Sequence, residues 1–416
     1  MQIVGVISEY NPFHYGHLYH LNKIKSDLIT DGIICVMSGN FVQRGEPAIF
    51  NKWARTEMAL CGGVDLVVEL PTCFATSTAE IFAESAIRLL NSMQIVQTIS
   101  FGMEHLAKKE LLLIGKLLAT EPDLYKKTLK TELKNGKSFP EAREKAIIKY
   151  IQNTNLDCNI DAVLALLNNP NSILAIEYVK AIHKTNSGIC IHPIFRIGAG
   201  YHNKALEDKY SSATAVRNAL SELSVNGILN KVPEFCSKIF QREIQSGFGP
   251  ISLKDFETMI LYILRRTSTQ ELSRFFDVSE GLENRIKRIS KSNYSIDNMI
   301  NEIKTKRYPV TRIQRILMHV LLNIDKSITE TRKPAYIRIL GFNDKGVRIL
   351  RRIKNKCTLP VITKASDYKQ LDPTAKSMFE IDLTATDIYS IAYRDKSLRK
   401  CGIDFRKKPL YYKSSK

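Results

Sequence analysis

The chain has 416 residues, 44% of them hydrophobic, eight cysteines and a formal net charge of +19. That length suits two or three domains around an ordinary core. No stretch approaches the ~20 apolar residues of a membrane span, no charged-then-apolar leader opens the chain, and the cysteines show no Cys-x-x-Cys spacing, so a cytoplasmic protein without a zinc ribbon or disulfide framework is expected.

Residues 3–7 are apolar and partly β-branched, as in a short strand buried on both faces. The chain continues Ile7-Ser8-Glu9-Tyr10-Asn11-Pro12-Phe13-His14-Tyr15-Gly16-His17-Leu18-Tyr19-His20. Asn11-Pro12 ends the strand, and Leu18, Leu21, Ile24 and Leu28 recur at helical spacing. Two histidines therefore flank a glycine where a strand hands over to a helix. A helix start presents unpaired N–H groups and a positive dipole end to phosphate. Imidazoles at His14 and His17 can donate to phosphate oxygens and stabilise charge that develops on an attacked α-phosphate. The plainer alternative is a core histidine beside a capping one.

A second strand is expected at 32–37, then a turn and a loop with Gln43, Arg44 and Glu46, where open α/β sheets place ligands. A helix follows at 53–60, a third strand at 64–70, an amphipathic helix at 78–92 and a fourth strand at 98–101 running into Gly102. A glycine there lets a nucleotide lie against the backbone. Residues 107–151 read as helical and Lys-rich. Asn171, after Pro170 and before an apolar run, stands where an N-cap is expected. A fifth strand at 190–196 ends on Arg196, which can reach a phosphate or a carboxylate. Ser211, Ser212 and Thr214 then open a helix with Arg217 one turn on, presenting hydroxyls, N–H groups and a charge to an anion. Ala213 separates Ser212 from Thr214, which leaves the register of the hydroxyls open.

Beyond residue 221 strand signals are few, with candidates at 336–340 and 359–362, and helices are expected at 252–266, 269–276, 280–291, 296–303 and 311–324. Residues 1–200 carry 20 Lys+Arg against 19 Asp+Glu, whereas residues 301–416 carry 27 against 11. The basic residues include Lys306, Arg307, Arg312, Arg315, Arg348, Arg351, Arg352, Lys354, Arg406, Lys407 and Lys408, with Tyr411 and Tyr412 beside them. A near-neutral front and a basic back suggest a small-molecule site joined to a polyanion-binding surface. The expected division is 1–220, an α/β parallel-sheet catalytic domain, and 221–416, a mostly helical basic region.

The run Asn11-Pro12-Phe13-His14-Tyr15-Gly16-His17 resembles the His-x-Gly-His signature of the nucleotidyltransferase superfamily, whose Rossmann-like (HUP-type) fold is shared with class I aminoacyl-tRNA synthetases. More closely, residues 8–13 together with Ser38-Gly39-Asn40-Phe41-Val42-Gln43-Arg44-Gly45-Glu46-Pro47-Ala48 resemble the bacterial tRNA(Met) cytidine acetate ligase family, and the likeness runs along nearly the whole chain. It implies that residues 7–20, Gly102, Asn171, Arg196, Ser211, Ser212, Thr214 and Arg217 bind ATP, with His14 and His17 catalytic. It further implies that ATP and acetate give acetyl-adenylate and pyrophosphate, that Mg²⁺ assists, and that the acetyl group passes to the N4 amine of the wobble cytidine of elongator tRNA(Met). The basic residues named above would hold the tRNA; no dedicated metal ligands are expected. Met103 stands where the family has a serine. The alternatives are an adenylyltransferase acting on a phosphorylated small molecule, which leaves the basic tail unexplained, and an RNA-binding protein with a vestigial nucleotide site.

Overall fold

The computed structural model describes residues 2–197, 212–222 and 231–413. Its centre is a sheet built on β1 (Ile3–Ser8). On one side of β1 lie β2 (Gly32–Ser38) and β3 (Leu66–Leu70), and on the other β4 (Val96–Met103) and β5 (Cys190–Phe195), all parallel. The chain therefore works outward from β1 in one direction and then crosses to the other. Open α/β sheets bind ligands at such a reversal, outside the carboxyl ends of the strands.

Side-chain alternation sorts the strands between two cores. Ile3, Ile34, Val36, Leu66 and Val68 pack on one face, and Val4, Val6, Ile33, Cys35, Met37 and Val67 on the other. Helix α1 (Tyr15–Asp27) joins β1 to β2, α2 (Lys52–Cys61) precedes β3, and α3 (Ala79–Ser92) precedes β4. The Thr78 hydroxyl caps α3 by accepting from the Ile81 N–H. Between β4 and β5 run four further helices, Lys108–Thr120, Asp123–Lys134, Phe139–Asn153 and Ile160–Asn168, and then α4 (Pro170–Lys184).

The back of the chain is helical from residue 234 to 330, with Ile296–Ile303 at its expected bounds and Val310–Leu322 close to them. It then returns to the sheet. Strand β6 (Ile337–Asn343) pairs antiparallel with β3, and β7 (Val361–Ile362) and β8 (Leu410–Tyr412) both pair parallel with β6. The sheet is thus assembled from both sides of the 220/221 boundary that charge and periodicity suggested. Helix α5 (Asp344–Lys356) lays Ile349 and Ile353 into the core and leaves Arg348, Arg351 and Lys354 exposed and Arg352 half-buried. Among the described residues no helix is long and apolar enough to cross a membrane.

Candidate active site

At the carboxyl end of β1 the chain turns through Tyr10, at a left-handed φ of 46°, into the start of α1. His14 is the N-cap: its Nδ1 accepts from the Gly16 N–H at 3.0 Å, and His17 Nδ1 accepts from the His14 N–H at 3.3 Å. A neutral imidazole whose Nδ1 accepts carries its hydrogen on Nε2. Capping therefore leaves both rings with one outward donor each. The rings stack at 3.8 Å, and Tyr10 meets the His17 ring edge-on at 4.9 Å. Burial, then Arg196 and Arg217, lowers His14 to about 3. Burial and then His14, Arg196 and His20 hold His17 well below the ordinary imidazole value. Both are neutral donors at neutral pH.

Strand β5 delivers Arg196. Its N–H donates to the Met103 carbonyl at 3.1 Å and its Nη1 lies 3.5 Å from Asn171 Oδ1. The Arg196 side chain crosses Gly102, where a Cβ would sit 3.0 Å from its Cγ. Gly102, Asn171 and Arg196 therefore meet at the ends of β4, α4 and β5. Asn171 is not the N-cap: Asn169 precedes α4 and Pro170 opens it, because proline suits the first helical position. The orphan donors of that helix are taken instead by Glu104, which accepts from the Asn171 N–H (3.3 Å), Asn171 Nδ2 (2.5 Å), the Ser172 N–H (3.0 Å) and the Ser172 hydroxyl (2.9 Å). Burial pushes the Glu104 carboxyl up, but the bonds from Asn171 and Ser172 outweigh it and hold the group below its ordinary value. Sequence reasoning passed over Glu104; its place two residues beyond Gly102, facing a helix start, was the available signal.

The third approach comes from the helix Ala213–Glu222. Ser212 Oγ accepts from the Ala215 N–H at 3.2 Å, so it caps this helix. Arg217 donates to the Asn11 carbonyl at 2.8 Å and to the Thr214 hydroxyl at 3.2 Å, which binds this helix to the turn before His14. Ser211 lies outside the described residues. On the β2 side, Glu9 accepts from the Gln43 N–H at 2.8 Å, and burial raises its carboxyl against the pull of Gln43, Arg44, Arg217 and Arg55.

Arg55 and Asp65 belong to the scaffold. Arg55, fully buried, donates to the carbonyls of Phe50 (2.9 Å), Glu9 (2.7 Å), Ser38 (3.0 Å) and Gly39, clamping the ends of β1 and β2 together. Asp65 sits at the opposite, amino-terminal end of the strands, just before β3, accepting from the Ile33 N–H at 2.8 Å and Asn343 Nδ2 at 2.9 Å. Among the described residues no group of three or more His, Cys, Asp or Glu could hold a metal ion.

Of the basic residues, Arg312 and Arg315 are held by Asp277, at 3.1 Å and 3.4 Å, with Arg312 also donating to its carbonyl at 2.8 Å. These two are mostly buried and brace the helices they join. Lys306, Arg307, Arg348, Arg351, Lys354, Arg406, Lys407 and Lys408 lie exposed. Arg307 pairs with Glu280 at 2.5 Å, and Arg406 donates to the Cys401 carbonyl at 2.6 Å.

A parallel sheet whose first strand ends in a helix capped by His-x-Gly-His, with arginines converging from two later elements, defines a nucleotidyltransferase of the HIGH class. The family model described as HIGH Nucleotidyl Transferase matches residues 1–402. Within that class the chain belongs to the tRNA(Met) cytidine acetate ligase family. It is 47% identical over 406 residues to the tRNA(Met) cytidine acetate ligase of Thermoanaerobacter sp. (strain X514), covering 97% of this chain and 98% of that one. It is 43% identical to the ligase of Clostridium perfringens (strain ATCC 13124), covering 94% and 95%. The crystal structure of apo Thermotoga maritima TmcAL superposes with a TM-score of 0.96 at 36% identity, and the form bound with alpha-thio ATP with 0.93 at 35%, each covering 100% of both chains.

Proposed function

We propose that the chain is an ATP-dependent ligase that activates acetate as acetyl-adenylate and acetylates N4 of the wobble cytidine of elongator tRNA(Met). The observation that carries this is the full-length likeness to ligases of that name, joined to a helix start that presents two neutral Nε2–H donors.

In the first step an acetate oxygen attacks the α-phosphorus of ATP and the bond to the β-phosphate oxygen breaks, releasing pyrophosphate. His14 and His17 donate to phosphate oxygens as negative charge builds there. Such donors act strongly because they are already oriented when charge develops. Gly102 lets the Arg196 side chain lie across β4, Arg196 and Asn171 hold the nucleotide there, and Ser212, Thr214 and Arg217 contact the triphosphate. Glu104 positions Asn171. Mg²⁺ would arrive bound to the phosphates and neutralise them.

In the second step the cytidine N4 attacks the acetyl carbon. The bond from that carbon to the phosphate oxygen breaks, AMP leaves, and N4 loses one proton. The exposed lysines and arginines of residues 306–307, 348–354 and 406–408 hold the tRNA backbone, a contact that weakens with salt.

The test is pyrophosphate release from ATP and acetate, with and without tRNA, by the unmodified protein and by His17→Ala. Release that needs acetate and His17, with labelled acetyl recovered on tRNA, is expected. Release that ignores acetate but responds to a phosphorylated metabolite would make the chain a small-molecule adenylyltransferase.

A further inference from the structure

His20 stands one turn beyond His17 on α1, and its ring is bonded away from the phosphate-facing pair. Its Nε2 lies 2.9 Å from the Ser100 hydroxyl on β4, and that hydroxyl lies 3.2 Å from His192 Nδ1 on β5. The other nitrogen of His192 is 3.7 Å from Asp27 Oδ2, at the end of α1. The second Asp27 oxygen is held by Lys23 at 2.9 Å and the Ser26 hydroxyl at 2.8 Å. Four side chains from three elements form one line from the nucleotide site to the surface. The adenylation chemistry above makes no use of it.

A hydroxyl has one hydrogen to give. Asp27 favours the His192 hydrogen on Nε2, which leaves Nδ1 bare to accept from Ser100. The Ser100 oxygen then accepts from His20 Nε2–H, and His20 Nδ1 is bare. When His192 takes up a proton, both of its nitrogens donate. Its Nδ1–H turns to the Ser100 oxygen, and the Ser100 hydrogen turns to His20 Nε2, which accepts only if the His20 hydrogen has moved to Nδ1. His192 gains one proton from solvent, and His20 exchanges one through solvent with no net change.

We propose that Ser100 and His192 are positioning residues of the nucleotide site: with Asp27 they set which ring nitrogen of His20 carries its hydrogen, and protonation of His192 reverses the choice. This rests on reading residues 7–20 as part of the ATP site. The backbone fixes the tautomers of His14 and His17, whereas side chains fix that of His20. Reversal turns the imidazole dipole beside Arg196, whose charge also bears on His14 and His17. The groups that face His192 are Ser100, Asp27, Lys108 and Lys23; those that face His20 are Ser100, Arg196, His192 and His17. Burial lowers His192, opposed by Asp27 and reinforced by Lys108 and Lys23, so reversal falls on the acid side of the ordinary imidazole value. His20, lowered to about 4 by burial, Arg196 and His192, stays neutral throughout.

The experiment follows ring tautomers by long-range nitrogen–proton correlation in full-length protein labelled with ¹⁵N-histidine, from about pH 7.5 to about pH 5. The His20 signals are assigned by their loss in His20→Gln. His20 is expected as Nε2–H at the upper end and as Nδ1–H at the lower, with the midpoint of His192. Ser100→Ala should uncouple the two, and His192→Phe, at a partly exposed site, should make the His20 tautomer independent of pH. KM for ATP should rise across the same midpoint by roughly three- to tenfold, the worth of one hydrogen bond, with kcat moving less, and the rise should vanish in Ser100→Ala. A His20 tautomer that stays fixed while His192 titrates, or follows it in Ser100→Ala, overturns the relay. A coupled tautomer with a flat KM overturns the positioning role. The tautomer is read without nucleotide, so a protein that failed to activate acetate would sink the proposed function while leaving the relay decided.

Discussion

The Gly16 and His14 amides each donate to an imidazole Nδ1, and each donation leaves one ring N–H directed away from the backbone. Asparagine can supply an acceptor near the Nδ1 position but no donor near Nε2. His17→Asn should therefore keep the cap, with a melting temperature close to that of the unmodified protein, and lower acetate-dependent pyrophosphate release by about 10²–10³; a large melting shift would mean that the ring serves stability instead. Buried histidines also set the response to acid. His14 lies at about 3 and His319 at about 4, both lowered chiefly by burial. Below an unfolded value of about 6.5 the unfolded chain binds more protons than the folded one, so stability is full above that pH and declines as pH falls. At pH 5 each such group costs about 2 kcal/mol. The urea midpoint should drop between pH 7 and pH 5, and His319→Gln should blunt the drop. The residues at the strand ends were readable because their types suit phosphate. Arg55 was not, because a buried guanidinium that feeds four carbonyls looks, in a bare sequence, like one that meets a ligand.

Helix starts do much of the work in this molecule, and they differ in what occupies them. The start of α1 is capped by imidazoles, whose Nε2–H groups are what it offers an anion, whereas that of α4 is already filled by the Glu104 carboxylate just beyond β4. Glu104→Ala would free the α4 donors and release Asn171. A rise in KM for ATP of about tenfold is expected, with a stability loss of about 1 kcal/mol; an unchanged KM would mean that Asn171 is placed without Glu104. The expected cap at Asn171 falls two residues late, because the partner of the first turn is Glu104, 67 residues earlier and just beyond β4. Helix α5 was not among the expected helices, since only its basic residues stood out; in it Ile349 and Ile353 face inward, Arg351 is exposed and Arg352 half-buried. Arg351→Glu with Arg352→Glu should weaken tRNA binding, flatten its dependence on salt by about 0.7–0.9 for each phosphate no longer neutralised, and leave ATP binding intact. Equal loss of both would show that α5 supports the nucleotide site.

At the scale of the whole molecule, the front and back halves are joined by charges taken out of water. Lys52 pairs with Glu69 and Asp404, each at 3.0 Å, and Arg338 reaches Glu69 at 3.2 Å and also Asp404; all four side chains are at most 6% exposed. They come from α2, β3, β6 and the turn of helix Ile403–Arg406. Removing one partner from a buried pair leaves an uncompensated charge, so Lys52→Met should cost about 3–5 kcal/mol, measured by denaturant unfolding; a neutral result would show that the remaining three charges re-pair. No local pattern announces this joint. Strand 336–340 was visible as an apolar run, but which edge it would close was not, since antiparallel pairing across such a distance leaves no trace in neighbouring residues. The same closure has a consequence for synthesis. Strand β3 is made by residue 70, and its partner begins at residue 337. At about 5–20 residues per second the ribosome leaves that edge open for roughly 15–50 seconds. Unpaired edges are templates for pairing with other chains. The edge thus stays open while the rest of the front, from β4 to the helix Ala213–Glu222, and then the helical middle are translated, and anything that stalls translation between residues 70 and 337 lengthens that interval.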